Sequence, residues 1–193
     1  MRPYKFSKSD KGKNMIRYAA FLRGINVGGH KLIKMEGLSR IFTTLGLEKV
    51  ATYIQSGNVV FESAEQDSRK LTGRIEKGLA AATGSEIAVF LRTLGELEAL
   101  VSQEPFSGFE SGTDVKKYVT FLAEAPEARP ELPLVSPKKE IRVFRAEGRE
   151  IFSLAFAQGN GRYGFPHSFI EKEFKVQATT RNWNTVEKIV KQK

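Results

Sequence analysis

"KVATYIQSGNVVFES", residues 49–63, holds two short runs of β-branched and aromatic residues that meet at Ser56-Gly57-Asn58. Such runs around a small polar turn read as the two strands of a hairpin. What flanks the hairpin decides the fold. Upstream, Met35, Leu38, Ile41, Phe42 and Leu45 recur at helical spacing and stop at Gly46, a residue suited to closing a helix. Downstream, Leu71, Ile75, Leu79 and Ala82 mark a second helix closed by Gly84. "RYAAFLRG" (17–24) and "EIAVFLRT" (86–93) are strand candidates outside these helices. The order β-α-β-β-α-β predicts a ferredoxin-like split βαβ, an antiparallel sheet with both helices on one face.

The rest of the chain predicts a second, smaller α+β half packed against the first. Thr93 and Glu96 form a capping box before Leu94, Leu97, Leu100 and Val101, and Pro105 stops that helix. "VKKYVTFLAE" (115–124) reads as a strand, and "APEARPELPLVSPKKE" (125–140), with four prolines, as a loop. "EIRVFRAEGREIFSLAFA" (140–157) reads as a hairpin turning at Glu147-Gly148. Pro166 suits the start of a short helix with Phe169 and Phe174, and Trp183, Val186, Ile189 and Val190 form the stripe of the last one. The expected division is a basic tail at 1–14, one subdomain at 15–93 and another at 94–193. No Gly/Ser linker separates the halves, so they are expected to pack together.

Composition narrows the chemistry. The 193 residues are 40% hydrophobic and 27% charged, ordinary for a globular protein. There is no cysteine, which excludes disulfides and a thiolate nucleophile. No apolar run approaches the roughly 18 residues of a membrane span, and the N-terminus has no apolar signal region, so a cytoplasmic location is expected. Of the net +9, residues 1–14 carry +4 and the remainder +5. Much of the positive charge therefore belongs to a solvated leader, and points only weakly to nucleic acid.

Three polar stretches stand next to segments that should be buried: "RGINVGG" (23–29), "IQSGNVV" (54–60) and "TTRNWNT" (179–185). In the first, successive backbone N–H groups between a strand and a helix can form an anion-holding nest. It is neither a dinucleotide fingerprint nor a P-loop, and Gly24, Gly28 and Gly29 can equally serve a turn capped by Asn26. In the second, Ser56 lacks a nucleophile's context, while Gln55 needs partners that Asn26, Asn182 or a ligand could supply. In the third, Thr179 or Thr180 is expected to cap the last helix. Arg181 then lies near a helix N-terminus, where the macrodipole disfavours a cation. Such an arginine wants an anion, a carboxylate of the chain or a ligand phosphate. His30 and His167 stand alone, and Glu171 and Glu173 read as a solvated helix face, so no metal site is expected. RNA-recognition domains share the predicted topology and stack bases on strand aromatics. Phe21 and Phe61 are the candidates for that role, with core packing as the alternative.

"FLRGINVGGHKLIKMEGL", "VATYIQSGNVVFES" and "ATTRNWNTVEKIV" together resemble the family known as domain of unknown function 1697, mostly bacterial proteins of this length. The resemblance covers about residues 16–190. It implies a ferredoxin-like half joined to a second α+β half, and no particular reaction.

The reading that follows is a protein binding an anionic ligand, a nucleotide or nucleic acid, without cofactor. Arg23, Gly24, Asn26, Gly28, Gly29, Gln55, Asn58, Arg181 and Asn182 are the candidate contacts. The alternatives are a hydrolase or transferase acting at a phosphoryl or acyl centre, and a homodimeric module whose polar motifs simply weld the halves.

Overall fold

The computed structural model describes residues 14–25, 33–53, 57–109, 114–159 and 161–191. The first half contains β1 (Ile16–Leu22), α1 (Met35–Thr44), β2 (Glu48–Tyr53), β3 (Asn58–Ser63), α2 (Ser68–Thr83) and β4 (Val89–Thr93), followed by α3 (Leu94–Ser102). Each boundary has a local cause. The Asp67 side chain accepts from the Arg69 and Lys70 amides at the start of α2, and Gly84 ends it at φ +68°. Thr93 and Glu96 close the expected capping box on α3.

The second half contains β5 (Val115–Leu122), β6 (Leu134–Val135), β7 (Ile141–Glu147), β8 (Glu150–Phe156), α4 (His167–Phe174), β9 (Ala178–Asn182) and α5 (Trp183–Lys191). The proline-rich segment read as loop holds the two-residue strand β6, which pairs with β7. Thr179 and Thr180, expected to cap the last helix, lie inside β9. Asn182 caps instead, its Oδ1 accepting the Asn184 amide at 3.0 Å. The strand wins there because Ala178–Asn182 pairs along its whole length with β5.

The protein is α+β, with two antiparallel sheets ordered β2-β3-β1-β4 and β6-β7-β8-β5-β9. Element order and strand order in the first half are compatible with the ferredoxin-like arrangement. Without β6, the second sheet repeats the first strand for strand: β7 answers β2, β8 answers β3, β5 answers β1 and β9 answers β4. The helices correspond too. A helix leads into β4 and into β9, and another leaves each of them.

Alternation along β1 separates two cores, because successive side chains point to opposite sheet faces. Tyr18, Ala20 and Leu22 pack under α1 and α2 with Leu38, Phe42, Leu71, Ile75 and Leu79. Ala19 and Phe21 face the other way and meet Val119, Phe121 and Phe152 of the second sheet. Leu94 and Leu97 of α3 and Trp183 and Val186 of α5 complete this central core. The sheet face opposite α1 and α2 is thus covered by the other half. Phe21 lies in that interface and Phe61 under the helices, both fully buried, so neither can stack a base.

At the centre the Phe21 and Phe121 rings stack with centroids 4.3 Å apart and planes 7° from parallel. Phe21→Ala and Phe121→Ala should each cost roughly 3–5 kcal/mol, the usual range for emptying a buried phenylalanine site. A double-mutant cycle in urea should give about 0.5–1.5 kcal/mol of coupling, and additive losses would show that the rings do not support each other.

Candidate functional site

Arg181 is set on β9 opposite Val119, and its side chain crosses into the first half. Nε donates to Asn58 Oδ1 at 2.6 Å, and Nη2 donates to the carbonyls of Leu22 at 2.8 Å and Gly57 at 3.4 Å. Nη1 donates to Thr179 Oγ1 at 2.8 Å and to the Thr180 carbonyl at 2.9 Å. These five contacts match the five N–H donors of a guanidinium. The cation also lies 5.5 Å from the centre of the Phe21 ring. Removal from water lowers the Arg181 pKa to about 10, which leaves it charged at neutral pH. The anion expected from the sequence is not what holds Arg181: its acceptors are three carbonyls, an amide oxygen and a hydroxyl.

A second arginine makes the reverse crossing. Arg92, on β4 opposite Ala19, donates from Nε to Glu150 Oε1 at 2.6 Å. Its Nη2 reaches the carbonyls of Leu122 at 3.1 Å and Arg149 at 3.4 Å, and its Nη1 the carbonyl of Leu91 at 2.8 Å. It lies 5.3 Å from the centre of the Phe121 ring. Four of the five Arg181 contacts recur: Leu122 stands for Leu22, Arg149 for Gly57, Glu150 for Asn58 and Leu91 for Thr180, and the Thr179 hydroxyl has no counterpart. Even the flanking backbone bonds recur, Leu22 N to Gly57 O and Leu122 N to Arg149 O, each at 2.8 Å. Burial lowers the Arg92 pKa, and the neighbouring Glu150 opposes that shift.

Arg23 extends the seam at the Arg181 end. It follows Leu22, whose carbonyl Arg181 holds, and its own amide donates to Ala88 O at 2.9 Å. Its guanidinium grips Glu171 of α4 at two points, 2.9 and 3.0 Å. Glu171 Oε1 also accepts the Ala178 amide at 2.7 Å, and Oε2 lies 3.3 Å from His167 Nε2. Glu76 does the equivalent work in the first half, accepting the Val89 amide at 2.9 Å. Glu171, read from the sequence as part of a solvated face, is therefore a link between halves. Burial lowers the His167 pKa, Glu171 opposes this, and the Arg23 and Arg181 charges reinforce it.

The described site residues thus converge in part. Arg23, Asn58 and Arg181 share one polar seam between the halves. Asn58 also donates from Nδ2 to the Tyr53 carbonyl at 3.0 Å, and this holds it in place for Arg181. Gly24 is exposed at φ +68° just beyond Arg23. Asn182 serves the start of α5. Gly57 has a reason sequence reading did not give: at φ +72° a Cβ would sit 2.6 Å from Ile25 Cγ1, so the bend beneath Arg181 needs glycine. Asn26, Gly28, Gly29 and Gln55 lie outside the described residues. Sequence reasoning missed Arg92, Glu150 and Glu171. Arg92 left a trace, because "LRTL" (91–94) and "TRNW" (180–183) both put an arginine and a capping residue between a strand and a helix.

A cleft of about 720 Å³ opens beside Arg23, lined also by Glu76, Lys77, Glu86, Ala88 and Gln177. A neighbouring cleft of about 760 Å³ shares Glu76 and Gln177 and runs past Arg69, Arg92 and Arg149. Among the described residues no group of three or more His, Asp or Glu side chains could hold a metal ion. Among them, too, no helix is long and apolar enough to cross a membrane.

A family model described as "Protein of unknown function (DUF1697)" matches residues 15–152. The chain belongs to that family. The match takes in "RGINVGG", "IQSGNVV" and the Arg92–Glu150 pair but ends before Arg181. The fold is similar to that of the conserved bacterial protein SP0830 from Streptococcus pneumoniae, with a TM-score of 0.64 and 25% identity. That likeness covers 91% of this chain and 97% of the other. No curated protein matches the chain.

Two outcomes follow from this geometry. Arg181→Ala should lose roughly 3–5 kcal/mol of stability in urea unfolding, because the buried carbonyls of Leu22 and Thr180 lose the guanidinium that they accept from. Arg181→Lys should recover only part of it, since an ammonium cannot reproduce the planar fork. The second concerns pH. The folded-state pKa of His167 lies below its ordinary 6.5, so the unfolded chain takes the proton first. The stability involved is fully present above about pH 6.5 and is lost as the pH falls below it. His167→Gln should flatten the fall of Tm between about pH 6.5 and 5. An unchanged slope would mean that His167 does not drive it.

Proposed function

We propose that this protein of the DUF1697 family works in the cytoplasm as a binding protein for a small anionic ligand. The ligand's phosphoryl or other anionic group docks against Arg23 at the mouth of the cleft between the halves. The observation that carries this reading is the state of the Arg23 guanidinium. Its two contacts with Glu171 use two of five N–H donors, and among the described residues the other three have no partner. The side chain is one-third exposed and lines the 720 Å³ cleft with Lys77. That volume suits a nucleotide-sized molecule. Glu171 holds the guanidinium in one orientation, which lowers the entropic cost of docking an anion on it.

Arg181 and Asn58 have a different part in this reading. With every donor of Arg181 satisfied inside the protein, they build the frame that carries Arg23 and leave ligand contact to it. A nucleotide or another phosphorylated small molecule is favoured over a nucleic acid strand, because the sheet aromatics that could stack bases are buried. The same saturation of Arg181 favours a second reading, in which the seam serves only to weld the halves.

Isothermal titration with inorganic phosphate and with ADP separates the two. The chain should bind at least one of them, and Arg23→Ala should weaken that binding about tenfold or more, as expected for loss of a charge-assisted pair. Arg23→Ala should cost no more than about 1 kcal/mol of stability, because the Arg23–Glu171 pair is partly exposed. No binding by the wild-type chain, or equal binding by the variant, would leave the weld as the better account.

A further inference from the structure

The two arginine crossings share their three backbone acceptors and differ in side-chain partners: Arg181 alone also reaches a hydroxyl, that of Thr179, and the two Nε groups meet different acceptors. Where Arg92 meets the carboxylate of Glu150, Arg181 meets the amide of Asn58, with both Nε–O distances 2.6 Å. The register makes the two partners equivalent: Asn58 stands opposite Phe21 on β3, and Glu150 opposite Phe121 on β8. One end of the seam is thus balanced and the other is not. At the Arg92 end, Glu150 neutralises the guanidinium, and Arg149 has Glu96 within 3.8 Å. At the Arg181 end, Glu171 neutralises Arg23, and among the described residues no carboxylate is in contact with Arg181. Arg181 is only 8% exposed, so solvent screens its charge poorly.

Burying a charge without a counter-charge is costly, and the chain carries the remedy in its own other half. A carboxylate at the position of Asn58 would neutralise Arg181 as Glu150 neutralises Arg92. We infer that Asn58 is a specificity-determining residue: it leaves the Arg181 end of the seam one charge short of neutral, and a phosphate-bearing ligand held by Arg23 supplies the missing anion. The inference deepens the anion-binding reading above and rests on it. Arg181 acts through its field across one peptide unit, since the Leu22 carbonyl that it holds belongs to the peptide that leads into Arg23.

The direct test is Asn58→Asp in the full chain, with Asn58→Ser as its control. Serine removes the amide, and with it the bond to the Tyr53 carbonyl, without adding charge. Aspartate removes the same bond and adds the charge. Inorganic phosphate and ADP are titrated into wild type and both variants at one ionic strength. Asn58→Ser should bind within about threefold of wild type, whereas Asn58→Asp should bind at least about tenfold more weakly, as expected for one uncancelled charge a few ångströms from the anion. Tighter binding of ADP would identify the source as a nucleotide, and equal binding the phosphoryl group alone. Equal binding by the aspartate and serine variants overturns the inference while leaving Arg23 as a contact. Loss of the Arg23→Ala effect, or no binding by wild type, removes the underlying reading and the inference with it. Should Asn58→Asp fail to fold, Glu150→Gln makes the opposite change. It leaves Arg92 as unbalanced as Arg181 and should increase the phosphate-dependent rise in Tm beyond that of wild type. No increase counts against charge balance as the determinant.

Discussion

The structure depends on two buried cations that cross the central interface in opposite directions. Arg181 leaves the second half to hold the β1 exit and the β3 entry of the first. Arg92 leaves the first half to hold the matching backbone of the second. Each guanidinium holds buried carbonyls where the paired strands end, Leu22 and Gly57 in one case and Leu122 and Arg149 in the other. Between the two lies the Phe21–Phe121 stack, with an arginine beside each ring. An apolar interface alone would tolerate sliding of one sheet over the other. Directional hydrogen bonds at both ends of the stack do not, and they set the register of the halves.

The interface also decides which surfaces remain for function. Pairing the two sheets removes the face on which a domain of this topology could stack bases, and α3 and α5 fill out the same core. What remains accessible is the edge of the seam, where Arg23, Lys77 and Gln177 border a cleft. The cation that faces that cleft is held by Glu171, a residue that also secures the start of β9. Frame and candidate contact are thus one network, and strain at either would be felt at the other.

Repetition gives the molecule an internal control. The two halves share strand order, helix placement, arginine crossings and backbone bonds, so a position that departs from the repeat stands out against a matched background. Arg23 faces Ala123 in that comparison, and Asn58 faces Glu150. Both departures lie at the same end of the seam, in the segments where polar residues interrupt apolar strands. Packing alone does not call for either, since the other half packs without them.

Much of the architecture was legible in the chain itself. Helical spacing at 35–45 and 71–82, period-two alternation in the strands and the Thr93–Glu96 cap are local signals, set by side chains a few residues apart. They gave the α+β class, the element order of the first half and the expectation that the halves pack together, while β6 and β9 went unread. Local signals also singled out Arg181, but as an arginine wanting an anion, whereas its acceptors are neutral oxygens. Those signals could not say which ones, because Leu22, Gly57 and Asn58 lie more than 120 residues away and reach it only when the sheets pair. For the same reason Glu171 read as surface and Arg92 went unremarked. Sequence determines which residues are polar in apolar surroundings. Tertiary structure decides which of them satisfy one another, as Arg181 and Asn58 do and Arg23 and Glu171 do, because burial and partnership across a long separation exist only in the folded chain.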